Sequence, residues 1–283
     1  MNRRQILQAL AGTGLAHAAN MVHATATPKQ NLIGNNLLDA YVRLSGSFDD
    51  RLIIWWMDGK QYAVVNGKSQ ALFGMKVGMF HRFFQQTDGN FKIAFFELTY
   101  FTDLDSGLLL KEFNNPFTGK INQVRHTRLG PEVRLLTTNG LSSPDNPMVQ
   151  DYSSSLGPAR IINNQVWIPT SVEAVIKFPK PTAPEILLSI YTTISGNLSD
   201  ALDSKKISAP CSLAFSNTQP WIPWMGLEDH PGHMMGVANG CKMESMEELP
   251  ADYLACAREV HPRYISDPIA ALSKQTLLIT ENA

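Results

Sequence analysis

Three polar side chains stand inside an otherwise apolar stretch, Lys76–Phe101: His81, Arg82 and Glu97. The stretch reads as two strands joined at Asp88-Gly89, so cross-strand parity decides which of the three share a face. A two-residue turn puts Arg82 opposite Phe95 and His81 opposite Phe96, leaving Arg82 and Glu97 as diagonal neighbours that can form an ion pair. A three-residue loop reverses this and brings His81 and Glu97 onto one face. A carboxyl or imidazole among aromatic residues has a perturbed pKa suited to acid/base work. The bland reading is an Arg82–Glu97 pair on the outer sheet surface.

Further candidates lie elsewhere. Trp55, Trp56 and Tyr62 flank Asp58-Gly59, and a turn there sets Trp55 opposite Tyr62. Adjacent tryptophans on a strand face opposite sides, so one side is core and the other can wall a ligand cavity, together with Tyr100, Trp221 and Trp224. His126 follows the Asn114–Gly119 turn and serves either as a general base or as a partner for backbone groups. His230 and His233 have H-x-x-H spacing, but Pro231 and Gly232 exclude a helix there and a zinc site needs further ligands. No phosphate loop, dinucleotide fingerprint, nucleophile elbow or H-E-x-x-H is present, and no cofactor is expected.

The elements that position these residues read mainly as strands. Arg51–Asp58, Gln61–Asn66, Lys76–Gln85 and Asn90–Phe101 are aromatic and β-branched runs between turn signals, in a series extending from Tyr41 to about Leu136. Residues 139–160 are rich in Ser, Pro, Asn and Gly and read as a long loop. Gln165–Ile168, Ser171–Phe178 and Ile186–Ser195 resume the strand pattern. Ser245–Val260 has helical spacing through Leu249, Tyr253, Leu254 and Ala257, with Pro250 suited to a first turn. The expected fold is mainly β: an antiparallel meander closing into a barrel of lipocalin or cyclase type, with a C-terminal helix.

Composition bounds the function. The 283 residues are 44 % hydrophobic and 17 % charged, with a net charge of -1. That excludes a disordered chain and argues against a nucleic-acid partner. No run approaches the ~18 apolar residues of a membrane span. Residues 1–26 carry Arg3 and Arg4, a short apolar stretch and small-residue exits at Ala16-His17-Ala18 and Ala24-Thr25-Ala26. This resembles a twin-arginine export signal, which implies the bacterial export machinery as a partner and a periplasmic or secreted location. The alternative is an amphipathic first helix through Leu7, Leu10, Ala11, Gly14 and Leu15. Cleavage would leave 22 basic residues against 25 acidic ones, a net of -3. In an oxidising compartment Cys211, Cys241 and Cys256 allow one disulfide at most.

The ordered series Gly46-x8-Trp55-Trp56-x2-Gly59-x2-Tyr62, Leu72-Phe73-Gly74, Asp103-x3-Gly107, Asn115-Pro116-Phe117-Thr118-Gly119 and Val124-x-His126 continues in Pro220–Gly226, Gly240-Cys241-Lys242 and Glu248-Leu249-Pro250. It resembles domain-of-unknown-function family 1838 over residues 40–265. The resemblance implies a single domain from residue 27 onward and no particular activity. The residues themselves favour an exported enzyme doing isomerase, cyclase or lyase chemistry on a hydrophobic or aromatic small molecule. His81, Arg82, Glu97 and His126 are the candidate catalytic set, and a non-enzymatic carrier is the alternative.

Overall fold

In the computed structural model, strands β1 (Ile53–Val65), β2 (Lys68–Gln85) and β3 (Phe91–Thr102) form a continuous antiparallel meander. The structure is described for residues 32–142, 149–177 and 185–280. The export segment, residues 1–26, lies outside these residues. Leu32–Ala283 cluster as one compact unit.

Ten further strands follow among the described residues: β4 (Glu112–Asn114), β5 (Ile121–Gln123), β6 (Thr127–Thr137), β7 (Gly140–Leu141), β8 (Val149–Leu156), β9 (Arg160–Ile162), β10 (Gln165–Ile176), β11 (Ile186–Asn197), β12 (Ser212–Gln219) and β13 (His233–Met243). The main sheet runs β7-β6-β3-β2-β1-β13-β12-β11-β10-β8, all antiparallel, and curls into a nearly closed barrel. Its two ends meet through side chains: the Tyr152 and Ser154 hydroxyls of β8 both donate to the Leu141 carbonyl of β7, at 3.0 and 2.6 Å.

Four expectations change. Residues 139–160 are not one loop, because their described part supplies β7 and β8, which close the barrel, and the first residue of β9. Asp58-Gly59 is not a turn, because β1 runs straight through it. Trp55 and Tyr62 therefore lie along one strand instead of facing each other. A Cβ on Gly59 would come within 2.1 Å of the Val237 carbonyl, so glycine is there for close strand approach. The turn comes later, at Asn66-Gly67, where both residues have positive φ, 50° and 73°. Finally, Tyr41 begins no strand; it lies in helix α1 (Gly34–Ser45).

Helix α1 closes one end of the barrel. It buries Leu37, Leu38, Val42 and Leu44 against inward residues such as Ile168, Ile194 and Leu213. The Trp55 indole N–H donates to the Ser45 carbonyl at 2.8 Å. The buried Lys242 ammonium donates to the Arg43 and Gly46 carbonyls, both at 3.1 Å, satisfying the helix C-terminus.

Beyond β11 come α2 (Leu198–Leu202) and, at the C-terminus, α3 (Ala251–Val260), α4 (Pro262–Ser266), α5 (Pro268–Ala271) and α6 (Ser273–Thr280). The expected C-terminal helix is present, shortened to α3, with three more turns after it. These helices cover the outer face of the meander, burying Ile54, Phe80, Phe96, Leu98 and Tyr100 against Tyr253, Ala257 and Leu272. Lys76 pairs with Asp252 of α3 across this contact. No helix among the described residues is long and apolar enough to cross a membrane.

Gly59→Ala should lower stability by about 1–3 kcal/mol in chemical denaturation, because the added methyl overpacks a strand–strand contact. An unchanged midpoint would contradict the close approach of β1 and β13.

Candidate functional site

The register of β2 and β3 is set by a three-residue loop, Thr87-Asp88-Gly89. It is closed by the Gln86 N–H donating to the Asn90 carbonyl at 2.8 Å. His81 therefore stands opposite Phe95, and Met79 opposite Glu97. His81 and Glu97 share the inner face as diagonal neighbours. Arg82 falls on the outer face, so the Arg82–Glu97 pair does not form. Its guanidinium pairs with the Asp50 carboxylate at 2.5 Å and donates to the Thr276 hydroxyl of α6 at 3.1 Å.

The inner faces enclose a cavity of about 340 Å³, walled mostly by apolar side chains including Trp55, Met79, Phe83, Ile93, Phe95 and Phe215. His81 and Glu97 open onto it, joined by Arg134 and Glu132 of β6 and by Tyr152 of β8. A bulge between Phe95 and Glu97 shifts the β3–β6 register, setting Glu132 opposite Phe95 and Leu129 opposite Glu97. Arg134 pairs with Glu132 at 2.5 Å, and its guanidinium lies 4.9 Å from the Phe95 ring centroid. The His81 ring also meets Phe95, edge-on with centroids 5.6 Å apart. Phe95 thus contacts both an imidazole and a guanidinium.

Burial sets the charge states. The His81 imidazole is pushed down to about 4 by desolvation, with the Arg134 charge acting in the same direction. It makes no hydrogen bond among the described residues, so its ring nitrogens are free to meet a ligand. Desolvation raises the Glu97 carboxyl above the ordinary carboxylate range, against the opposing effects of the Thr99 hydroxyl and Arg134. That hydroxyl donates to Glu97 Oε1 at 2.7 Å. A second chamber of about 230 Å³ shares Met79, Glu97 and Phe215 with the first. Glu97 therefore stands at the junction of the two.

The other expected site residues scatter. His126 lies on the outer side, where Nδ1 accepts the Phe101 N–H at 3.2 Å. It satisfies a backbone group instead of facing the cavity. Burial and His261 hold its pKa down to about 4, with Glu259 opposing. Tyr100 is buried in the outer cluster and shares a 3.0 Å hydrogen bond with His261. Trp56 packs in the same cluster, and Tyr62 lines neither chamber. Trp55 walls the larger chamber and Trp221 the smaller, whereas Trp224 packs on Phe73, Phe101 and Phe113 outside both.

His230 packs against Phe117 and Trp221, and its Nδ1 lies 2.8 Å from the Pro231 carbonyl. Among the described residues no group of three His, Cys, Asp or Glu side chains gathers to hold a metal, and His230 and His233 have no such company. Cys211, Cys241 and Cys256 are all free. Sequence reasoning missed Arg134, Glu132 and Tyr152, whose inward direction depends on the β3 bulge and on β8 being a strand.

A nearly closed antiparallel barrel with an apolar interior and a few inward ionisable groups defines the class of protein. The chain belongs to the family described as Protein of unknown function (DUF1838), whose profile matches residues 49–150 and 174–277. No curated protein and no solved structure matched the chain.

The two inward groups act on stability with opposite signs. His81 has a folded pKa of about 4, below its ordinary 6.5, so the unfolded chain takes the proton first. Its stabilising contribution is full above pH 6.5 and is lost as pH falls toward 4. Glu97, raised in the folded state, favours folding as pH falls through its own window. His81→Leu should reduce the slope of stability against pH between 6.5 and 4 by about one proton. An unchanged slope in denaturation series at several pH values would contradict a buried, neutral His81.

Proposed function

We propose that this barrel binds a hydrophobic or aromatic small molecule and acts on it by acid/base chemistry of the isomerase, cyclase or lyase type. The observation that carries the reading is the placement of Glu97. Its carboxyl has a raised pKa, faces an apolar cavity of about 340 Å³, and lies on the same face as a neutral imidazole. A carboxyl in that setting holds a proton more readily than an exposed glutamate does, which suits it to taking and returning one. Two other groups have defined parts. His81, neutral and unpartnered, hydrogen-bonds and orients the ligand. Arg134, close to Phe95 and paired with Glu132, stabilises negative charge that develops as a proton leaves.

Arg82 and His126 drop out of the catalytic set, since both are occupied on the outer face. The carrier reading draws on the predominantly apolar wall, because a carrier needs only such walls and a few orienting groups. The proposed place of work is the periplasm or beyond, reached by twin-arginine export, a reading that rests on the Arg3-Arg4 segment alone.

Deuterium exchange separates the enzyme from the carrier. The small molecule released from protein purified from its own cells is returned to the protein in D2O and analysed by mass spectrometry. The enzyme incorporates deuterium at carbon, or converts the molecule, and Glu97→Gln slows this by about a hundredfold or more. Recovery of the molecule unchanged and undeuterated from the wild-type protein would sink the acid/base reading in favour of the carrier.

A further inference from the structure

The smaller chamber contains a polar device that proton transfer at Glu97 does not use. Gln61 of β1 and Asn217 of β12 both stand opposite Gly236 of the intervening strand β13. A Cβ at Gly236 would lie 2.3 Å from Asn217 Oδ1 and 2.8 Å from Gln61 Nε2. The missing side chain is what lets the two amides lean together over the middle strand. Gln61 is 2 % exposed and Asn217 9 %, and both line the chamber.

Neither amide is fully satisfied by the protein. Gln61 Nε2 reaches Met75 Sδ at 3.0 Å, a weak acceptor, and Gln61 Oε1 is buried with no hydrogen-bond partner. Asn217 Oδ1 accepts the Gly236 N–H at 2.8 Å, which fixes the orientation of its amide. No hydrogen bond among the described residues uses the Asn217 NH2. The pair therefore offers one acceptor and one donor side by side. A buried polar atom left unpaired is costly, so a partner that satisfies both gains affinity.

The charge of that partner is restricted. Among the described residues lining the smaller chamber none is Lys, Arg or His, and the one titratable side chain is Glu97. An anionic head would meet the Gln61 carbonyl oxygen and no cation. The chamber adjoins the larger one, with Met79, Glu97 and Phe215 lining both.

We infer that the ligand is amphipathic: Gln61 and Asn217 hold a neutral head that both donates and accepts a hydrogen bond, a hydroxyl or primary amide, while its apolar body fills the larger chamber. This rests on the larger chamber taking an apolar small molecule, and it places the head next to Glu97. Protons nearest the head are then the ones Glu97 reaches.

Calorimetry with four eight-carbon probes at pH 8 tests it: 1-octanol, octanamide, octyl methyl ether and octanoate. The alcohol and the amide should bind at least about tenfold more tightly than the ether, which only accepts, and than the ionised acid. Gln61→Leu should abolish the preference of alcohol over ether. Equal binding of alcohol and ether by wild-type protein, tighter binding of octanoate, or no binding of any probe would each overturn the inference. The wild-type comparison decides even if the variant does not fold. A protein that shows the alcohol preference but exchanges no deuterium refutes proton transfer at Glu97 and leaves the head-group site standing.

Discussion

Strands β1, β2 and β3 bury both of their faces, and the rest of the molecule is arranged around that constraint. A sheet with two apolar faces needs a cover on each side. On the outside, α3 to α6 supply it over Phe80, Phe96 and Tyr100. On the inside, the sheet curls until β7 and β8 meet, and α1 closes one end against Ile168 and Leu213. Large inward side chains from facing strands do not fill the centre, so two adjoining chambers are left. The low charge content of the chain follows from this arrangement, because the meander has little surface to spend on charged residues.

The same constraint makes each inward polar group expensive and chemically altered. Inside such a barrel a carboxylate loses water without gaining a full set of partners, so its neutral form is favoured. Among the described residues Glu97 receives only the Thr99 hydroxyl as a close donor. His81 receives none among the described residues and stays neutral. Which residues suffer this fate is decided by register. One residue of slip between β2 and β3 would turn Arg82 inward and His81 outward. The three-residue loop at Thr87–Gly89 and the bulge after Phe95 are therefore as important to the site as the residues that form it.

Much of this was legible in the sequence, to the extent that the signal was local. Aromatic strands with turn chemistry gave the meander, and the two possible loops at Asp88-Gly89 already gave the choice between His81 and Arg82 as the partner of Glu97. What was not legible depends on contacts far apart in the chain. Gly59 looks like a turn glycine and is instead required by the backbone of β13, 178 positions away. Residues Ser153, Ser154 and Ser155 have no apolar period, yet they belong to β8, whose serine and tyrosine hydroxyls complete the barrel. Arg134 could not be assigned an inward direction without the bulge in β3. His126 has a composition suited to catalysis and a position that commits it to the Phe101 amide.

The acid/base chemistry proposed for the interior depends on Glu97 being protonated more readily than an exposed glutamate. The direct measurement is a carbon-13 titration of the Glu97 side-chain carboxyl by NMR, assigned with Glu97→Gln. The account predicts a midpoint above the ordinary value of 4.5 in the folded protein. A midpoint at or below 4.5 would mean that the carboxyl is solvated or ion-paired, and the barrel interior would then lack the group on which its chemistry depends.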